Sequence, residues 1–215
     1  SADYSQVELR MMAHFSNDIG LIDAFKNSID VHSKTASLVY NVPIELVQPE
    51  MRRTAKVVNF GIMYGAGAFR IGQELGIPRS EASMLIESYF QQYPGIQNYI
   101  DSTCSMAREK KYVETVLGRK RPIWDADSDN GLRRQAAERM AINMPIQGSS
   151  AEMIKIAMIR IAEEISKLNL RSKLVLQIHD ELIFEFPAEE EDILVNLVIE
   201  KMENAMKLKV PIVVD

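Results

Sequence analysis

Apolar positions recur with helical spacing through most of the chain and with strand spacing near its ends. The pattern predicts helices at residues 30–40, 49–65, 78–111, 130–168 and 188–207. The Pro-Gly pair at 94–95 should bend the third helix, and the sequence PIQG at 145–148 should break the fourth. We expect a small hairpin at 112–123, a buried apolar hairpin at 174–186 and a last strand at 210–214.

This order of elements predicts the fold class. Strands at both ends with helices between them indicate an α+β domain whose sheet brings the two ends together, with a mostly helical insertion. Asp3 has the position of a strand end although only two residues precede it. We therefore expect a piece of a longer protein, cut at both ends.

The predicted helix from Met51 to Tyr64 has two different faces. At roughly 100° per residue, an apolar stripe forms the core side, and it consists of Met51, Ala55, Val58 and Ile62. The opposite face carries Arg52, Lys56, Phe60 and Tyr64. Cations beside aromatic rings suit a triphosphate with an attached base, because cations bind phosphate oxygens and rings stack on bases. For the two cations alone, a solvated face is the alternative.

Acidic residues interrupt the apolar hairpin, where the sequence HDE occupies residues 179–181. Burying a carboxylate without a partner is costly, so acidic residues in this position indicate a bound cation. Two aspartates that meet at the end of one sheet form a site for hard, oxygen-seeking ions such as Mg²⁺. Asp3 and Asp180 are the candidates.

Composition narrows the function classes. The net charge of −5 argues mildly against nucleic acid, but cations cluster locally, so a basic side could still bind a polyanion. The clusters lie at residues 52–56, 108–111, 119–121 and 133–139. One cysteine and three histidines give neither a disulfide framework nor a zinc site, and no apolar run is long enough to span a membrane. The glycines at 61, 65 and 67 fit neither phosphate-loop motif.

Four segments together resemble the motifs of family A DNA polymerases, the bacterial DNA polymerase I type. Residues 3–10 (DYSQVELR) are similar to the first catalytic motif, residues 52–65 (RRTAKVVNFGIMYG) to the second and residues 177–181 (QIHDE) to the third. Residues 143–148 (NMPIQG) extend the resemblance, which covers essentially the whole chain in the family's order and approximate spacing.

The resemblance implies a polymerase palm, an antiparallel sheet with flanking helices, into which a helical fingers subdomain is inserted. The palm would comprise residues 1–28 and 128–215, and the fingers residues 29–127. The thumb is absent. It would lie upstream of Ser1 with the exonuclease-like domain and the first palm strands.

The implied activity is template-directed transfer of dNTPs to a primer 3′-hydroxyl by a two-metal mechanism, in DNA replication or repair. Asp3, Asp180 and the backbone carbonyl of Tyr4 would hold two Mg²⁺ ions, for which Mn²⁺ can substitute. Asp3 and Asp180 would be catalytic, and Lys56 could protonate the leaving group. Glu181, also a catalytic candidate, either tunes the metal site or is simply solvated.

Further roles follow residue by residue from the same resemblance. The dNTP-binding set is Arg52, Lys56, Phe60, Tyr64, Glu8, His32 and Gln6. The DNA-binding set is Arg139, Asn143, Gln147, His179, Arg119 and Arg121. Arg139, Asn143 and Gln147 would lie along the minor groove. Every base pair offers acceptors there in similar places, so these residues can check the shape of the pair without reading the sequence. The alternatives are a helix-surface histidine for His32, amide caps for Asn143 and Gln147, and a solvated turn for Arg119 and Arg121.

The implied partners are primer-template DNA, dNTPs and the missing thumb and N-terminal domains, with no membrane. The implied location is the bacterial cytoplasm (nucleoid) or a DNA-containing organelle. Two other classes compete. A single-subunit RNA polymerase shares the metal aspartates, but Glu8 beside the sugar would obstruct a 2′-hydroxyl. A catalytically incompetent DNA-binding scaffold is the second rival, because truncation could remove activity.

Overall fold

The computed structural model describes residues 1–215. The helices are α1 Val7–Ser16, α2 Ile19–Lys26, α3 Val31–Tyr40, α4 Pro49–Met63, α5 Ala68–Leu75, α6 Arg79–Gln92, α7 Pro94–Lys110, α8 Gly131–Lys167 and α9 Glu191–Glu203. The strands are β1 Ala2–Asp3, β2 Tyr112–Glu114, β3 Lys120–Pro122, β4 Lys173–Ile178 and β5 Glu181–Glu185. Short 3₁₀ turns lie at Ile44–Leu46, Trp124–Asp127 and Ala188–Glu190. No helix combines the length and the apolar character needed to cross a membrane.

The main sheet is antiparallel with strand order β1-β5-β4, and it brings the two ends of the chain together. Asp3 and Asp215 exchange two backbone hydrogen bonds of 2.9 Å, and Ser5 N–H donates to the Val213 carbonyl at 2.9 Å. The α+β prediction is confirmed. The last segment is less regular than predicted, since residues 210–214 form a single bridge, from Val214 to Tyr4, rather than a full strand.

One hydrophobic core joins β1 and β5 to α1, α8 and α9. Its contributions from the sheet include Ala2 and Leu182, both buried. The predicted facing of α4 is also confirmed, because Ala55, Val58 and Ile62 are buried in the structure. The sheet and α4 are therefore held in place by the apolar residues that the pattern had assigned to the interior.

The hairpin at 174–186 was predicted to be buried, and for β4 this is wrong. Val175, Leu176 and Ile178 are 47%, 57% and 46% exposed. The reason is position in the sheet: β4 is an edge strand with a partner on one side only, whereas β5 lies inside and buries Leu182 completely. Alternation and apolar content do not distinguish an edge strand from an inner one.

Two helix predictions also need correction. Residues 78–111 form two helices separated at Tyr93, and Pro94 begins α7, where its missing N–H costs no hydrogen bond. Helix α8 runs unbroken for 37 residues through Pro145. Pro145 and Ile146 are buried with most of that stretch, so packing on both sides of the proline holds the helix together.

The apolar pattern did not predict three of the helices, and it placed the end of one helix too late. Helices α1, α2 and α5 are 10, 8 and 8 residues long, too short for a clear periodic signal. Cap residues could have revealed two of them: Asp18 accepts a hydrogen bond from Leu21 N at the start of α2, and Gly76 ends α5 with a positive φ. Helix α9 ends at Glu203 rather than 207.

Candidate active site

Two distant segments meet at one end of the main sheet and form a carboxylate cluster, Asp3, Asp180 and Glu181. Asp3 lies opposite Glu181 in the β1–β5 register. The Tyr4 N–H also donates to the Asp180 backbone carbonyl at 3.4 Å. Asp180 belongs to the tight turn between β4 and β5, which is closed by His179 with φ 55°. The sheet therefore brings together the metal aspartates predicted from the sequence.

The carboxylate cluster has no cationic partner in the chain, since none of its members forms an ion pair with Lys or Arg. Burial, and then the charges of Asp180, Glu181 and Asp215, raise the pKa of Asp3. No backbone N–H donates to the Tyr4 carbonyl. No three His, Cys, Asp or Glu side chains converge as a ligand set. Two aspartates and a free carbonyl still suit a hard divalent ion.

Helix α4 carries a cationic face, formed by Arg52 and Lys56, both exposed. Arg52 holds Asp30 through two hydrogen bonds, Nε to Oδ2 at 2.8 Å and a terminal nitrogen to Oδ1 at 3.0 Å. Asp30 also caps α3 by accepting from Ser33 N at 2.8 Å. Burial opposes ionisation of Asp30, but the hydrogen bonds from Arg52 and Ser33 outweigh it and lower its pKa to about 2.

Two aromatic rings continue this face towards the carboxylate cluster. Phe60 and Tyr64 are stacked, with ring centroids 6.3 Å apart and planes inclined by 19°. The Tyr64 hydroxyl donates a hydrogen bond to the Glu8 carboxylate. Burial and this contact with Glu8 raise the pKa of Tyr64. The hydrogen bond ties α4 to the start of α1, so the first and second sequence motifs meet directly.

A cavity of about 420 Å³ lies between the two aromatic rings, the start of α1 and the turn that carries Asp180. It is lined by Gln6, Glu8, Phe60, Tyr64, His179 and Asp180, together with Tyr4 and Gln147. Lys56 borders a second cavity of about 570 Å³, which shares Phe60 with the first. Residues from all three predicted catalytic motifs therefore line the first cavity.

Besides Val7 and Gln177, sequence reasoning missed three residues of this cavity on α8, which are Ser150, Ala151 and Ile154. Together with Gln147 they recur at three- and four-residue intervals, which places them on one side of a helix. That signal was hidden by the expectation that α8 breaks at Pro145. An unbroken α8 carries the stripe directly into the cavity.

The predicted DNA-binding residues of α8 extend from the same cavity. Arg139, Asn143 and Gln147 recur every four residues, so they form one line along the helix. The side-chain oxygens of Asn143 and Gln6 are buried and have no hydrogen-bond partner. Unpaired buried acceptors are costly, so both are suited to accept from a bound molecule. Arg139 packs so closely on Gly65, at φ +68°, that a Cβ there would lie 2.8 Å from it.

The remaining predicted residues lie outside the cavity. The Arg119 Nε is 3.0 Å from the buried Glu152 carboxylate, which also accepts from the Thr115 hydroxyl at 3.0 Å, so the Arg119 charge is already paired. Arg121 is exposed on β3. His32 is only 3% exposed, so its alternative as a helix-surface histidine is wrong.

The whole chain, residues 1–215, matches the family model described as DNA polymerase family A. The chain belongs to this family. Among its relatives are DNA polymerase I of Caldicellulosiruptor bescii, 50% identical over 214 residues, and that of Bacillus subtilis, 48% identical over 215 residues. The thermostable DNA polymerase I of Thermus aquaticus is 44% identical over 213 residues. Each comparison covers 99–100% of this chain.

A solved family A structure has the same fold. The polymerase domain of Pol1 from M. smegmatis, in complex with DNA primer-template and dNTP, superposes with a TM-score of 0.96 at 46% identity. The alignment covers 100% of this chain and 38% of that one. The chain spans about a quarter of the length of the three curated relatives, 24–25%.

Proposed function

We propose that this chain is the palm and fingers portion of a template-directed DNA polymerase that transfers dNTPs to a primer 3′-hydroxyl in replication or repair. Its family membership and the polymerase I names of its relatives support this. We assign the palm to residues 1–28 and 128–215, and the fingers to residues 29–127. Primer-template DNA, dNTPs and the other domains of a longer chain are the proposed partners.

The observation that carries the proposal is a pair of neighbouring cavities, one lined by a carboxylate of the cluster and the other by a cation of α4. Asp180 of the carboxylate cluster lines the first cavity, Lys56 of the cationic face lines the second, and Phe60 lines both. The Glu8–Tyr64 hydrogen bond connects the first and second motifs at the first cavity. A nucleoside triphosphate with its divalent ion has the complementary arrangement, with a cation for the carboxylates and phosphates for Arg52 and Lys56.

Each part of the chain has a role in the transfer. Arg52 binds phosphate oxygens through its planar guanidinium, and Lys56 contributes a compact charge nearby. The primer 3′-oxygen bonds to the α-phosphorus as the bond to pyrophosphate breaks, and Lys56 donates a proton to the departing oxygen. Phe60 and Tyr64 border the sugar and base, and Glu8 closes the space beside the sugar. Gln6 and His32 complete the dNTP site.

Asp3, Asp180 and the Tyr4 carbonyl would hold Mg²⁺, or Mn²⁺ in its place. When bound, these ions supply positive charge that lowers the pKa of the primer hydroxyl and stabilises the departing pyrophosphate. Glu181, whose charge helps raise the pKa of Asp3, strengthens the negative field that attracts the ions.

The proposed DNA path follows the line of polar residues on α8. Arg139, Asn143 and Gln147 would contact the minor groove of the newly formed base pairs, and His179 the primer backbone. The hairpin β2–β3 would contact the duplex backbone through Arg121. Arg119 would contact the backbone as well, while it keeps its ion pair with Glu152.

A primer-extension assay on the full-length chain tests the proposal, with dNTPs and ribonucleotides offered separately on the same template. We expect template-dependent extension with dNTPs. Efficient extension with ribonucleotides would instead favour the RNA polymerase alternative, and duplex binding without extension the scaffold alternative. The same assay on residues 1–215 alone measures what this portion does without the remaining domains.

A further inference from the structure

A buried polar network lies directly beneath the cationic face. Asn59 of α4 is 1% exposed, and Thr35 and His32 of α3 are 0% and 3% exposed. The side-chain nitrogen of Asn59 lies 3.0 Å from Nδ1 of His32 and 3.2 Å from the Thr35 hydroxyl. The Thr35 hydroxyl lies 3.1 Å from the hydroxyl of Tyr93. The network therefore runs from the His32 ring to the junction of α6 and α7.

The orientation of the Asn59 amide assigns a tautomer to His32. The structure assigns the Asn59 amide nitrogen to the His32 side, with the amide oxygen 3.3 Å from the Thr35 hydroxyl. An amide NH₂ group donates hydrogen bonds and does not accept them, so in this orientation Nδ1 is the acceptor and carries no proton. The proton of the neutral ring is then on Nε2. This nitrogen has no partner in the chain, yet it is not sealed from solvent. The buried ring thus presents one N–H donor at the surface.

That donor lies among the residues assigned to the triphosphate. The His32 ring is 5.7 Å from the Phe60 ring, centroid to centroid. The charges of Asp30, Arg52 and Lys56 all act on it. Arg52 and Lys56 form the cationic face, and Asp30 is the present partner of Arg52. The free N–H therefore belongs to a ring that lies beside Phe60 and within the electrostatic reach of both cations.

We propose that Asn59 is a positioning residue for the nucleotide: its amide holds His32 as a neutral imidazole whose Nε2–H donates to the triphosphate. The inference rests on the proposed polymerase function. Burial lowers the pKa of His32 to about 4, with Asp30 opposing this effect and Arg52 and Lys56 adding to it. The ring thus stays neutral at physiological pH, and the site gains a phosphate donor without the desolvation cost of a further buried charge.

The first test reads the tautomer directly, by ¹⁵N NMR of histidine-labelled full-length protein. We expect unprotonated Nδ1 and protonated Nε2 throughout about pH 5.5 to 8. Adding a dNTP to the complex with a dideoxy-terminated primer should shift the His32 Nε2–H resonance. The opposite tautomer, titration within this range or a resonance that does not respond to the nucleotide would each overturn the inference.

The second test is a double-mutant cycle on dNTP binding. Asn59→Leu should raise the dNTP KM about three- to tenfold, the value of one neutral hydrogen bond, with primer-template affinity unchanged. In a His32→Phe background the same change should have less than about a twofold effect, because there is no ring left to position. Thr35→Ser, which keeps the hydroxyl, is the matched control. An equal effect of Asn59→Leu in both backgrounds would assign Asn59 a purely structural role and contradict the inference.

Two safeguards separate the possible failures. If Asn59→Leu does not fold, Asn59→Asp serves instead, because it keeps the side-chain size. Its carboxylate should accept a hydrogen bond from a protonated Nδ1 and so raise the pKa of His32. The dNTP KM of Asn59→Asp should then vary between about pH 6 and 8 more than that of the wild type, and an identical profile would overturn the inference. If the wild type does not extend primers at all, the polymerase proposal fails, whereas the tautomer result is unaffected.

Discussion

The carboxylate cluster and the cationic face differ in how the chain balances their charges. Asp3 and Asp180 have no cationic partner in the chain, and burial and mutual repulsion raise the pKa of Asp3. Arg52 is already neutralised by Asp30 through two hydrogen bonds, and beneath it the Asn59 amide occupies Nδ1 of His32.

This difference predicts how much free energy each group of residues would gain when its ligand binds. A cation binding to the carboxylate cluster removes a repulsion that the folded chain pays for, so binding and stability increase together. A phosphate that binds Arg52 competes with Asp30 for the guanidinium, so the net gain in free energy is smaller than that of a new charged contact. We expect large effects from changes to the carboxylate cluster and modest ones from changes to the cationic face.

The largest effect is expected at the carboxylate cluster. Asp3→Ala or Asp180→Ala should lower single-nucleotide incorporation by the full-length polymerase by on the order of a thousandfold or more, because metal ions supply several kcal/mol of transition-state stabilisation. Glu185→Ala, on the exposed far end of β5, is the matched control and should behave as wild type. Near-normal turnover of both aspartate variants at saturating Mg²⁺ would contradict the two-metal assignment.

The same variants test the repulsion separately from activity. Removing one of several like charges should raise the melting temperature of the metal-free protein, and it should reduce the further rise that Mg²⁺ produces in the wild type. If the aspartate variants melt at a lower temperature than the wild type without metal, the carboxylates do not destabilise the metal-free protein by repulsion.

The second effect concerns Phe60, which lines both cavities and has no hydroxyl. A nucleotide's own 3′-hydroxyl must then satisfy nearby polar groups, so a dideoxynucleotide leaves a hydrogen bond unmade. Phe60→Tyr supplies a hydroxyl and should reduce discrimination against dideoxynucleotides by about ten- to a hundredfold, with normal extension nearly unchanged. The measurement is the incorporation ratio of the two nucleotides. Phe69→Tyr, exposed on α5, is the control, and an unmoved ratio for Phe60→Tyr would mean that Phe60 does not face the sugar.

Glu8 should have a comparable or smaller effect on sugar selection. Its carboxylate accepts from the Tyr64 hydroxyl, and the two side chains close the space beside the sugar C2′. Glu8→Ala should admit ribonucleotides better by on the order of tenfold or more and slow dNTP incorporation. Glu8→Gln, which keeps the length and an acceptor, should retain most of the selectivity. Unchanged sugar preference in Glu8→Ala would move the gate to Tyr64.

The smallest effect is expected where a charge is already paired. Asp30→Asn keeps a good helix cap but releases Arg52, so the dNTP KM should fall about two- to fivefold, and less so as ionic strength rises. Asp30→Ser introduces another residue that can cap the helix, and it should lower the dNTP KM to a similar extent. Asp23→Asn, on the exposed surface of α2, removes the same charge elsewhere and is the control for net charge. A higher KM in Asp30→Asn would instead mean that Asp30 holds Arg52 ready for the phosphate.

Local patterns were sufficient for much of the fold and of the site. The 3.6-residue period predicted which face of α4 is buried, and the cap at Asp30 predicted where α3 begins. The acidic residues inside an apolar hairpin identified Asp180, and motif resemblance brought in Asp3 and Glu8. Such signals depend on neighbours a few residues away in the chain, which the sequence displays directly.

What only the tertiary structure decided are relations between elements. The pattern cannot tell that β4 is an edge strand, that α8 continues through Pro145, or that Ser150 and Ile154 reach the cavity, because these depend on what packs against each element. The same holds for the pairing of Arg52 with Asp30 and of Asn59 with His32, 22 and 27 residues apart. The sequence by itself determined which chemical groups are present and which face of a helix or strand carries them. The packing of α3 against α4 determined which of those groups neutralise one another and which are left for a ligand, since hydrogen bonds and charge interactions act over a few ångströms in space, whatever the separation along the chain.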